Sequence, residues 1–169
     1  MRKQFAIVVV AGLASLVGAA GVLADSTVIQ DPDGDGTSNN LDIVAAKAGH
    51  SPGGVLKHRV TVAKKINPND MGPDLHINVP GGGSDAEFII RPMASGVGPG
   101  PMRGGVFANG GGKVARATIT PVGEDGLKYK FREKAIGSPK HYGWAWVVAS
   151  ENGDVLDRAP DTGYVRHGL

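Results

Sequence analysis

Alternation of apolar and polar side chains after residue 54 constrains the fold of this chain more than any other feature. Residues 56–62, 75–79, 127–131 and 142–148 place mostly apolar side chains at every second position. A period of two puts one side of a strand in a core and the other side in water. The pattern predicts an all-β protein, a single antiparallel β-sandwich of the jelly-roll or immunoglobulin-like two-sheet type. Six side chains are predicted to face the core: Leu75, Ile77, Val79, Leu127, Tyr129 and Phe131.

Turn residues separate the predicted strands. Residues 80–85, 109–112 and 124–126 have the length and the Gly and Asp content of hairpin turns. Residues 96–105 are rich in Gly and Pro and predict a longer loop. Residues 41–48 stay undecided between helix and strand, because their apolar residues fit both periods.

The first 24 residues have the composition of a secretory signal peptide. Arg2 and Lys3 precede an uncharged stretch from residue 5 to 23, and Ala24 ends a cleavage-site pattern. The alternative is an uncleaved membrane anchor, because the stretch approaches the length of a spanning helix. We predict cleavage before Asp25, export from the cell, and one β-sandwich domain over residues 25–169 with no membrane span.

The charge balance of the sequence limits the binding partners that can be predicted for this protein. The sequence has 18 Lys and Arg and 16 Asp and Glu, and two of the basic residues lie in the predicted signal peptide. The exported domain is therefore neutral, which does not indicate a nucleic acid or an anionic membrane as partner. Since the chain has no cysteine, its stability outside the cell cannot depend on disulfides.

An aspartate-rich loop at residues 31–42 predicts a calcium site. Carboxylates fall at loop positions 1, 3, 5 and 12, with Gly36 at position 6 to permit the sharp turn. Calcium takes six to eight oxygen ligands, which Asp, Asn and a backbone carbonyl supply. The alternative is a turn without metal, because Asp, Asn and Gly also dominate ordinary turns. The predicted ligands are Asp31, Asp33, Asp35, Thr37, Asn39 and Asp42.

An aromatic stripe on one predicted strand allows two interpretations. Tyr142, Trp144 and Trp146 share one face of the strand. Exposed rings of this kind stack on sugars and form a ligand platform, whereas buried rings fill a core. The sequence leaves both alternatives open.

The sequence contains no complete pattern of catalytic residues. Gly49–Gly53 matches the G-x-S-x-G pattern of a hydrolase around Ser51, but Pro52 lacks the backbone N–H that would complete an oxyanion hole. The five histidines form no pair with zinc-ligand spacing. We therefore predict that the protein is not an enzyme.

The sequence resembles two known groups of proteins. Residues 31–47, with Asp at 31, 33, 35 and 42, resemble one calcium half-repeat of a dockerin. The same loop, followed by predicted strands at 56–62, 75–90, 127–131 and 142–149 and a closing segment at 157–163, is similar to secreted bacterial β-sandwiches related to family 9 carbohydrate-binding modules and DOMON-like domains. This second resemblance implies a sandwich with structural calcium and a ligand such as a sugar or haem.

The sequence thus predicts a secreted, non-enzymatic, calcium-binding β-sandwich whose extracellular ligand is a carbohydrate. One alternative is a structural or protein-interaction module of the cell envelope, which would present an exposed apolar patch. A second alternative is a hydrolase whose cleft is not visible in the sequence.

Overall fold

The computed structural model describes residues 26–36, 41–66, 72–93 and 101–169. Within these ranges it contains β-strands and one short 3-10 helix, Glu133–Ile136. The predicted signal peptide and its cleavage site lie outside the described residues. The strands in chain order are β1 Ser26–Gln30, β2 Ile43–Ser51, β3 Val55–Val62, β4 Asp74–Asn78, β5 Phe88–Pro92, β6 Met102–Ala108, β7 Lys113–Val122, β8 Gly126–Arg132, β9 His141–Ala149, β10 Val155–Ala159 and β11 Val165–Gly168.

The all-β prediction is confirmed, and every strand pairs antiparallel with its neighbours. The strands form one 11-stranded sheet in the order β1-β2-β3-β8-β7-β6-β5-β4-β9-β10, and β11 also pairs with β9. At its two ends, β1 approaches β11 and β10 approaches β2, so the sheet is nearly closed into a barrel. We call this line of approach the seam.

The undecided segment at residues 41–48 is mostly strand. β2 begins at Ile43 and lies between β1 and β3, which satisfy its backbone N–H and C=O groups on both sides. Ala46 and Ala48 on this strand are buried. Pairing with the neighbouring strands therefore makes this segment a strand, a choice that its residues alone leave open.

The three predicted hairpins are present, at β4–β5, β6–β7 and β7–β8. Gly110 and Gly123 have φ of 68° and 71° in the last two turns, a conformation that favours glycine. Residues 96–100 of the predicted loop lie outside the described residues, and residues 102–105 belong to a strand instead of a loop, because β6 begins at Met102. Gly104 and Gly105 there pair with β5 and β7, which supply the hydrogen bonds that hold two glycines in a strand.

The core lies between the inward faces of the strands. Of the six predicted core side chains, Leu75, Ile77, Leu127, Tyr129 and Phe131 are buried, and Val79 is half-buried and packs against them. The largest completely buried side chains include Trp144, Trp146 and Tyr142 on β9. The alternation that predicted the strands therefore also predicted which side of each strand is inside.

Side chains connect the two ends of the sheet across the seam. The Trp144 Nε1–H donates to Thr27 Oγ1 at 3.3 Å, and the same oxygen lies 2.9 Å from His167 Nδ1. His167 Nε2 lies 3.2 Å from His50 Nδ1. These contacts join β1 and β2 to β9 and β11, while the aspartates described next occupy the approach of β10 to β2.

Candidate functional site

Five carboxylates gather where β10 approaches β2. Oxygens of Asp31, Asp35 and Asp161 lie within 4.8 Å of one another, and so do oxygens of Asp35, Asp42 and Asp157. Asp35 belongs to both groups. Two ligands on opposite sides of a calcium ion stand about 4.6–5.2 Å apart, because each Ca–O distance is about 2.3–2.6 Å. The spacing of these oxygens therefore suits a cation of that size. We call the five residues the aspartate cluster.

Backbone hydrogen bonds hold two of the carboxylates in place. Asp42 Oδ2 accepts the Gly34 N–H at 2.6 Å and its Oδ1 accepts the Gly36 N–H at 3.0 Å. Asp157 Oδ2 accepts the Ile43 N–H at 2.6 Å, which joins β10 to the first residue of β2. Each carboxylate oxygen accepts more than one bond, so these contacts orient the groups and leave lone pairs for a cation. The same contacts are what a turn without metal would use.

The charges in the cluster are poorly compensated within the described residues. Burial raises the pKa of Asp31 to about 7, and the carboxylates of Asp35 and Asp157 add to the rise. Burial also raises the pKa of Asp35 and of Asp157. Asp31 Oδ2 is buried with no hydrogen-bond partner among the described residues. A bound cation would reverse these effects, because it favours the ionised form of each carboxylate.

The cluster overlaps the predicted calcium loop only in part. Asp31, Asp35 and Asp42 come together, whereas Asp33 is exposed and belongs to neither group of oxygens. The predicted ligands Thr37 and Asn39 lie outside the described residues. Asp157 and Asp161 were missed because they lie far from the loop in sequence. The one signal for Asp157 was that it alternates with the apolar Val155 and Ala159 on a short strand.

Gly36 lies at a bend in this loop and also provides space there. Among the described residues of this loop, the positive φ is at Gly34, with φ 89°, and Gly36 is not in that conformation. Gly36 is needed for space: a Cβ there would lie 2.7 Å from Asp42 Oδ1 and 3.0 Å from Asp157 Cγ. Glycine therefore lets the chain pass directly against the two carboxylates that are fixed by backbone N–H groups.

Replacing Gly36 by alanine should destabilise the protein and also displace carboxylates of the aspartate cluster. The added methyl group must displace Asp42 or Asp157, and overpacking of this kind costs about 1–3 kcal/mol. Urea unfolding measures the loss. Gly112→Ala is the matched control, because a Cβ at Gly112 meets nothing within 4 Å, and a change within about 0.5 kcal/mol is expected. Equal stability of the two variants would contradict the close packing described for Gly36.

The predicted aromatic platform lies inside the core. Tyr142, Trp144 and Trp146 are each 0% exposed, so none of them offers a ring face to a sugar in solution. The Tyr142 hydroxyl lies 2.8 Å from Nε2 of the buried His58, and burial lowers the pKa of His58 to about 3. Of the two alternatives, the rings therefore take the core role, because their strand turns this face inward.

Comparisons with protein-family models, with curated proteins and with solved structures give no match to this chain. Among the described residues, no helix is long and apolar enough to cross a membrane. The function must therefore be argued from the residues and their geometry.

Proposed function

We propose that this protein is a secreted, non-enzymatic β-domain that binds calcium at the aspartate cluster and recognises an extracellular ligand, with carbohydrate as the first candidate. The proposal keeps the two-sheet sandwich predicted from the sequence, which is a more specific fold than the antiparallel sheet described above. Export follows from the predicted signal peptide, and the carbohydrate ligand follows from the resemblance to family 9 modules.

One observation carries the calcium proposal. Carboxylates from two distant segments converge at the seam, and one of their oxygens, Asp31 Oδ2, is buried without a hydrogen-bond partner among the described residues. Like charges held this close repel one another unless they are protonated or neutralised by a cation. A calcium ion shared by the β1–β2 connection and the β10 region would offset two of the five negative charges and weaken the repulsion between the carboxylates. It would also hold together two ends of the sheet, which form no strand ladder with each other in the described parts of the chain.

The experiment is calorimetry with calcium and with a chelator at equal ionic strength. At a hundredfold excess over the dissociation constant, calcium should stabilise the native state by about 2.7 kcal/mol. Magnesium at the same concentration is the control, and its effect should be smaller because it demands shorter bonds and octahedral geometry. The proposal is contradicted if the melting temperature does not shift with calcium up to about 10 mM, a concentration above the weak end of extracellular sites. The aspartate cluster would then be a turn without bound metal.

The calcium effect should depend on pH in a defined direction. The pKa of Asp31 is about 7 in the folded protein, above its ordinary value of 3.8. Without metal, the folded state therefore takes up a proton as the pH falls below 7, and this group then favours folding. Because the proton and calcium compete, the shift caused by calcium should be larger at pH 8 than at pH 5.

The alternative role, a structural or protein-interaction module of the envelope, would show an exposed apolar patch. The exposed large apolar side chains of the described residues lie on four different segments: Val28, Met93, Val114 and Val155. A glycan array probed with and without calcium tests the ligand class directly, and binding lost in chelator by protein that stays folded would link the ligand to the cluster.

A further inference from the structure

Rows of basic side chains cross the outer face of the sheet, the side that points away from the core. In the first row, Lys47 on β2 faces Arg59 on β3, which in turn faces Lys128 on β8. In the second row, Lys57 on β3 faces Lys130 on β8. Each of these side chains alternates with a buried inward neighbour on its strand.

The second row continues over two more strands. Lys130 faces Thr118 on β7, and Thr118 faces the exposed Arg103 on β6. Neighbouring strands are about 4.8 Å apart, and the two rows are two residues, or about 6.7 Å, apart along the strands. The result is a regular ladder of cations. We define the basic face as Lys47, Arg59, Lys128, Lys57, Lys130 and Arg103.

No acidic side chain balances this ladder within the described residues. The outer positions of β2, β3, β8, β7 and β6 include no Asp or Glu. The ion pairs found in the described ranges, Lys65 with Glu124 and Arg91 with Asp74, lie elsewhere. Like charges directly opposite each other weaken a sheet. The small net charge of +2 therefore conceals a separation of charge, with aspartates at the seam and cations on the sheet.

We propose that the basic face binds an acidic polysaccharide, a chain of carboxylated or sulfated sugars laid across the strands. This inference rests on the carbohydrate-binding role proposed above and specifies its ligand class. A polyanion with regularly spaced charges complements a regular ladder of cations and removes the repulsion within it. The hydroxyls of Thr118 and Thr120, which face Lys130 and Lys128, supply hydrogen-bond partners for sugar hydroxyls.

The composition of the rows favours this ligand over other polyanions. Single-stranded nucleic acid is usually held by aromatic side chains on which bases stack, and neither row contains an aromatic residue. Proteins that lie on anionic membranes insert large apolar side chains beside their cations. Two exposed apolar side chains lie at the ends of the rows, Val28 facing Lys47 and Met93 beside Arg103, and none lies between the cations. The partners between the cations are Thr and Gly.

The test compares two double variants that carry the same net charge. Lys57→Gln with Lys130→Gln removes a facing pair of cations, whereas Lys134→Gln with Lys140→Gln removes two exposed cations outside the strands. Binding to heparin and to alginate is measured by calorimetry in 50 mM NaCl, with neutral dextran as a blank. We expect the facing pair to lower affinity at least about tenfold and the control to lower it less than about twofold. Binding of the wild type should weaken steeply as salt is raised.

Three results would overturn the inference. The first is no binding of either acidic polysaccharide by the wild type at 50 mM NaCl. The second is an equal loss in both double variants, which would indicate a nonspecific effect of net charge. The third is tighter binding of a thymidine oligonucleotide or of phosphatidylglycerol vesicles at the same charge concentration. The calcium-dependent melting shift, measured on the same samples, keeps the two proposals separate: a normal shift without polysaccharide binding overturns this inference alone.

Discussion

Replacing Trp144 by alanine is expected to lower the free energy of unfolding by about 3–5 kcal/mol, the range for truncating a large buried aromatic side chain. Trp144 is completely buried on β9. Its indole N–H also donates to Thr27 Oγ1 across the seam, so the variant loses a hydrogen bond as well as packing. Urea unfolding, analysed for both the midpoint and the slope, measures the loss.

The control for this variant is Val114→Ala, since Val114 is 53% exposed on β7 and a change within about 0.5 kcal/mol is expected. A surface platform residue would give the opposite pattern, with lost ligand binding and unchanged stability. A loss below about 1 kcal/mol for Trp144→Ala, small against the usual range, would contradict its place in the core.

Replacing Asp157 by asparagine should abolish most of the calcium-dependent stabilisation, which is about 2.7 kcal/mol at a hundredfold excess of the ion. Asparagine keeps one oxygen that can accept the Ile43 N–H bond but lacks the charge that attracts the cation. Without calcium at pH 8, removal of one repelling carboxylate opposes the loss of the Arg158 N–H bond to Oδ1, so the stability of the variant should stay within about 1 kcal/mol of the wild type. Calorimetry with and without calcium measures both effects.

Asp33→Asn is the matched control for Asp157→Asn. The spacing of the loop predicts that Asp33 is a calcium ligand and does not include Asp157. In the structure, Asp157 belongs to the aspartate cluster, whereas Asp33 is exposed and lies outside it. We expect Asp33→Asn to keep most of the calcium shift. If the loss occurs at Asp33 and not at Asp157, the site follows the loop pattern, and the cluster described here is not the metal site.

The sheet separates its charges in a way that relates the two proposals. Aspartates from the β1–β2 connection and from the β10 region meet where the sheet closes. The cations lie on β2, β3, β8 and β6, on the opposite side of those strands from the core. A cation at the seam would join the β1–β2 connection to the β10 region, without being part of the basic face. Polysaccharide binding is therefore expected to weaken in chelator only as far as the protein unfolds.

The sequence by itself determined the class of fold and much of the core. Period-two alternation specifies which side of a strand is apolar, and the physical reason is local, because successive side chains of a strand point to opposite faces. Leu127, Tyr129 and Phe131 were therefore predicted correctly as core residues. Turn chemistry is local in the same way, so the three hairpins could be predicted from their glycines and aspartates.

Only the tertiary structure decided which distant segments are neighbours. β3 pairs with β8, although four strands lie between them in the chain, and this pairing places Lys57 against Lys130 and Arg59 against Lys128. Near-closure of the sheet likewise brings Asp157 to Asp42. Residue spacing along the chain does not carry this information, because strand order depends on burying every apolar face at once. The sequence therefore determines what each strand presents, and the packed sheet determines which charges face each other.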